Sequence, residues 1–300
     1  MISIVNNSST QRSNIVFGKD NAGSAVQNQT TTVPISKASG NDIVTINKKR
    51  ELTKKQKTWL KIGTIATAIV AAGLAIREGF IRNAQKVFKE AFLRDDITRK
   101  ETIGMLKRYK SIGKIKDKNE YIRAMYEEGK NNFGLKDLKL KFSIEDFAKQ
   151  GVQGEYNASE ATLKISKNIN KSRVVNTVHH ELRHAKQANM MINYSPLEYT
   201  RAVLKSKGAP FERYLNDTNF LKGMSDIYFQ AHGVTRKPEN VPKSLEEYVK
   251  KLLKAQEVYV EGNLVNGKPN KEYYNNFKEV DARKCGDSLE KILKWVKFWR

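Results

Sequence analysis

The chain has 300 residues, 39% of them hydrophobic, with a mean hydropathy of −0.62, which allows a catalytic domain plus a segment outside any packed core. Lysine and arginine outnumber acids 55 to 32, and the excess is diffuse, with 14 basic and 5 acidic residues over 1–90 and the rest beyond. Diffuse basicity suits an anionic membrane surface as partner and speaks against a nucleic-acid-binding stripe, which concentrates its charge. The single cysteine, Cys285, excludes an internal disulfide and a cysteine-ligated zinc site, and reads as a small packed residue.

Residues 1–57, rich in Asn, Ser, Thr, Gln and Gly and closing on the basic run Lys48–Lys57, read as a disordered tail. Residues 58–78 form a hydrophobic helix, with fifteen uncharged residues, Ile62–Ile76, between Lys61 and Arg77. Snorkelling by Lys61, with Trp59 at headgroup level, predicts a single membrane anchor; the alternative is a buried helix in a cytoplasmic protein. Residues 79–134 are helical, with patterns around Ile81–Phe92, Glu101–Tyr109 and Asn119–Lys130.

Residues 135–300 read as an α+β domain, mostly helical with a small antiparallel sheet. Leu138–Phe142 and Ala161–Ser166 alternate, Val152–Tyr156 is a short third strand, and Asn157–Glu160 supplies a turn. From Lys171 onward the pattern is helical, over about 172–190, 196–206, 211–231, 244–258 and 271–299. The basic, aromatic run Leu289–Arg300 fits either a membrane-surface helix or a core-facing one.

In the helix spanning 173–188, Val175, Val178, Leu182 and Ala185 form one apolar face. His180 and His184 are four apart on an adjacent face, so their imidazoles can converge on one tetrahedral ion. Glu181 follows the first histidine and projects beside that ion, where it can take a proton from water. His179 points about a hundred degrees away from His180 and cannot join the same ion. The pattern predicts zinc-dependent hydrolysis. A scaffold with a structural zinc, or a basic module for nucleic acid or anionic surface polymer, is the alternative.

The segment His180-Glu181-Leu182-Arg183-His184 resembles the active-site helix of the zincin metallopeptidases. That resemblance implies zinc as cofactor, a peptide or protein substrate, and a small sheet whose edge strand binds extended substrate, with Ala161–Ser166 as the candidate edge. Gln187 and Met190 stand where the metzincin motif has Gly and His, so a gluzincin-like arrangement with a downstream glutamate is the better match. Glu279, on the long helix 271–299, is the best third ligand. Ala282 beside it permits close helix approach, and the stretch resembles the Glu-bearing helix of small bacterial and phage-borne peptidases. His232, Glu198 and Glu261 are the other candidates. Arg283 occupies the position where some of those families place an acid, leaving Asp281 to support a histidine ligand. Tyr273 or Tyr274 is placed to donate to an oxyanion.

Overall fold

The computed structural model describes residues 53–147, 152–233, 243–259, 264–265 and 268–296. The expected tail over 1–57 therefore lies outside the described residues except for 53–57, where helix α1 (Lys54–Phe92) already begins. The chain divides into two compact units, Met1–Gly73 and Leu74–Arg300. The first is described only over the N-terminal part of α1.

The membrane anchor is not borne out: among the described residues no helix is long and apolar enough to cross a membrane. The physical reason lies in the run itself. Fifteen uncharged residues extend only about 22 Å as a helix, against a hydrocarbon core of about 30 Å. Much of that run is Ala, Gly and Thr, which adds little apolar surface.

The second unit is mostly helical with a small mixed sheet. Its part of α1 buries Ile81, Ala84, Phe88 and Phe92, a stripe at helical spacing. Helices α2 (Arg99–Ile112) and α3 (Lys118–Asn132) follow, each started by a side-chain cap: Thr98 accepts from the Glu101 amide, and Asp117 from the Glu120 amide. The sheet comprises β1 (Lys141–Glu145), β2 (Gly154–Asn157) and β3 (Thr162–Ser166) in the order β1-β3-β2. β2 and β3 form the expected antiparallel hairpin, with Tyr156 opposite Leu163. β1 pairs parallel to β3, with Phe142 opposite Leu163, so the sheet is mixed and not wholly antiparallel.

β3 is the central strand, which corrects the expectation that Ala161–Ser166 is an edge. Ala161, Leu163 and Ile165 are fully buried, and Thr162 and Ser166 on the other face are buried too. The edge facing the long helix α4 (Val174–Tyr194) is β2.

α4 runs through both hydrophobic cores. Its first half packs with α1, α2, α3, the sheet and α10 (Phe277–Val296), around Phe88, Phe92, Met105, Leu163, Val178 and Leu289. Its second half, Ala188, Met191 and Ile192, packs with α5 (Pro196–Ser206), α7 (Thr218–His232) and α8 (Lys243–Glu257). The stretch expected as one helix over 211–231 is broken: a short α6 (Ala209–Glu212) precedes α7, whose N-cap is Asp217. The last expected helix is also broken, into α9 (Lys271–Asn275) and α10. Leu289, Ile292, Leu293 and Val296 are buried, so the C-terminal run packs into the core as far as it is described.

Candidate metal centre

Two close approaches set the centre. Gly286 of α10 sits so near α4 that a Cβ there would lie 2.7 Å from the Asn176 carbonyl oxygen. Ala282, one turn earlier, is fully buried, so small side chains let the two helices meet. On the other side, a Cβ at Gly154 of β2 would lie 2.7 Å from Thr177 Cγ2 and 2.9 Å from Glu181 Cγ and Oε1.

Between these contacts α4 presents His180 and His184, whose Nε2 atoms are 3.1 Å apart. Glu279 enters from the first turn of α10, not from mid-helix, because the chain turns at Asn276, whose side chain accepts from the Lys278 amide. Its Oε1 lies 3.2 Å from His184 Nε2 and its Oε2 3.4 Å from His180 Nε2. One donor atom from each residue lies within 4.8 Å of the others, the arrangement of a group that could hold a metal ion. Glu279 is wholly buried, and its Oε2 has no hydrogen-bond partner. Burial raises the Glu279 carboxyl, but the two imidazoles outweigh it and hold the group below the ordinary carboxylate range.

Glu181 is buried beside this cluster, and its carboxyl is pushed up to about 7. Burial is the largest cause; His180 and the Tyr156 backbone amide pull it down, while Glu279 and Glu155 push it up. Tyr259, two residues past the end of α8, donates its hydroxyl to Glu279 Oε1 at 3.0 Å. Burial, and after it the Glu279 carboxylate, raises the phenols of both Tyr259 and Tyr273. Tyr274 turns instead beneath the Arg283 guanidinium, 5.0 Å from its ring centroid.

The other sequence candidates are placed elsewhere. His232 is fully buried, with Nδ1 donating to the Tyr228 carbonyl and Nε2 accepting from the Tyr156 hydroxyl at 2.7 Å. Glu198 is exposed, and Glu261 lies outside the described residues. His179 is buried between Tyr109 and the Val175 carbonyl, away from the cluster. Asp281 does not reach His180; it takes a two-pronged ion pair from Arg183, at 2.6 and 2.9 Å. Cys285 is buried, with its thiol pushed up to about 12.

Sequence reasoning missed Tyr259, Arg183, Gln187 and Tyr248. Arg183 and Gln187 carried a signal, since they are four apart on the row of α4 next to the histidine row. Tyr259 had none, because its approach depends on where α8 ends.

No family model matches the chain, no curated protein matches it, and no solved structure matches it.

Proposed function

We propose that this protein is a zinc metallopeptidase with a zincin-like, gluzincin-like site, hydrolysing peptide bonds in a peptide or protein substrate. One observation carries the reading: two imidazole nitrogens meet one buried carboxylate, His184 Nε2 facing Glu279 Oε1 and His180 Nε2 facing Oε2, which has no hydrogen bond. A buried unpartnered acceptor costs about 1–3 kcal/mol, and a cation at that point relieves it. Two histidines plus one carboxylate is the donor set of hydrolytic zinc, which keeps a fourth position open.

Held by His180, His184 and Glu279, a zinc ion would supply Lewis acidity toward a water and a carbonyl. Glu181, buried beside the cluster, would take the proton of the attacking water and pass it to the leaving amine. Tyr259 holds Glu279 in place through its hydroxyl, and Tyr273, whose phenol is raised by the same carboxylate, is the candidate donor to a developing oxyanion. The β2 edge beside Glu181 offers backbone groups to an extended substrate. A closed structural site needs no base, so Glu181 favours catalysis over a scaffold role.

The test uses the full chain. Purified protein should carry about one zinc, lost in His184→Ala. Glu181→Gln should keep the metal yet lose turnover on a peptide library. Zinc-free wild type, or equal turnover in Glu181→Gln, refutes the proposal.

A further inference from the structure

Next to the histidine row, α4 carries a second row, Arg183 and Gln187, and both side chains turn to Asp281 of α10. Gln187 is fully buried. Its Nε2 donates to Asp281 Oδ2 at 2.8 Å and to the Lys278 carbonyl at 3.2 Å. Its Oε1 lies 2.9 Å from His184 Nδ1. Asp281 Oδ2 also accepts from Arg183 Nε at 2.6 Å and from the Tyr248 hydroxyl at 2.6 Å, while Oδ1 accepts from Arg183 at 2.9 Å. The remaining arm of Arg183 donates to the Ala91 carbonyl at 2.6 Å, at the end of α1.

The direction of each bond follows from this. A carboxylate gripped by a guanidinium fork only accepts, and so does a backbone carbonyl. The Gln187 amide must therefore turn its NH2 to Asp281 and Lys278, which leaves its oxygen facing His184. His184 Nδ1 must then carry the proton. Nε2 is left with a bare lone pair, aimed at Glu279 and His180.

We propose that Gln187 is a positioning residue that transmits the rigidity of the Arg183–Asp281 ion pair to His184, fixing the tautomer and ring angle in which Nε2 ligates. The inference rests on the reading of His184 as a metal ligand. Glu279 and Asp281 are two residues apart on one helix, so the element that delivers the third ligand also braces the second. A hydrogen bond to the far nitrogen of a ligating histidine typically contributes 10–100-fold in metal affinity.

The experiment measures zinc affinity of the full chain by competition with a chromophoric chelator, with the visible spectrum of the cobalt-substituted protein recorded alongside. Gln187→Met fills similar space without an acceptor; it should bind zinc about 10–100-fold more weakly and shift the cobalt bands. A thermal melt of the same samples reports any loss of packing separately from the loss of ligation. If Gln187→Met does not fold, Gln187→Asn, whose amide stops short of His184, takes its place with the same expected loss. Wild-type affinity with an unchanged spectrum in Gln187→Met overturns the proposal. Weaker binding in Gln187→Met with unchanged cobalt bands also overturns it, because packing alone then explains the loss. Wild type that binds no metal removes the ligand reading itself, a result distinct from either of these.

Discussion

Gly154 faces Glu181 where β2 meets α4, so Gly154→Ala tests whether the strand positions the proposed base. The new methyl would lie 2.7 Å from Thr177 Cγ2 and 2.9 Å from Glu181 Cγ and Oε1, where ordinary contact begins at 3.4 Å. The structure must therefore yield by about 0.5–0.7 Å on two sides of one atom, in the range where overpacking costs about 1–3 kcal/mol. Thr177 is β-branched and fixed on its helix, whereas the Glu181 side chain can rotate, so the displacement falls mainly on the carboxylate. Misplacing a catalytic group by about 1 Å lowers turnover on the order of 100-fold. The proposed metal ligands come from α4 and α10, not from β2, so zinc content should be unchanged. The assay pairs peptide hydrolysis with metal analysis and a thermal melt. Thr177→Ser in the same chain removes the Cγ2 contact and should restore part of the loss. Gly154→Ala with wild-type turnover and melting temperature would show that β2 does not set the position of Glu181.

Gly286→Val should weaken both stability and zinc binding, because its Cβ meets the Asn176 backbone oxygen at 2.7 Å and α10 must lift Glu279 away. A chelator titration checks this. Arg183→Met leaves Asp281 buried without its cation and should destabilise by about 3–5 kcal/mol in urea unfolding. His179, neutral and buried, has its pKa lowered from 6.5 to about 4 by burial. Between those values the unfolded chain binds a proton that the folded chain refuses, so stability falls as the pH drops through the window, by about 3 kcal/mol in all. Urea unfolding of metal-free wild type and His179→Gln from pH 8 to 4.5 should show the steeper loss in wild type. Parallel curves would place the acid sensitivity elsewhere.

The helices of the second unit were legible because each has an apolar stripe at helical spacing, as Phe88 and Phe92 of α1 or Leu289, Ile292 and Leu293 of α10 show. The sheet was legible only as strands. Alternation in Ala161–Ser166 marks a strand with one apolar face, but says nothing of what covers the polar face. Here Thr162 and Ser166 are buried as well, so the strand is central. A parallel partner such as β1 leaves no local mark, since no turn joins it to β3. The apolar run of α1 misled because a lack of charge was read as lipid affinity, whereas Ala, Gly and Thr contribute length without much apolar area.

At the centre, His180, Glu181 and His184 could be read because spacing along one helix fixes their geometry. Glu279 could be proposed because Ala282 permits close approach, and Gly286 completes that seam. The role of Asp281 could not be read. Whether it meets His180, or meets His184 through Gln187, depends on the rotation of α10 against α4. That rotation is set by which small residue lies against which backbone atom, here Gly286 against Asn176. A ligand set written along one helix is a property of the sequence, but its support is a property of two helices in register. The residues that hold the centre rigid therefore lie on the row beside the motif, where Arg183 and Gln187 look like ordinary polar residues until Asp281 is brought against them.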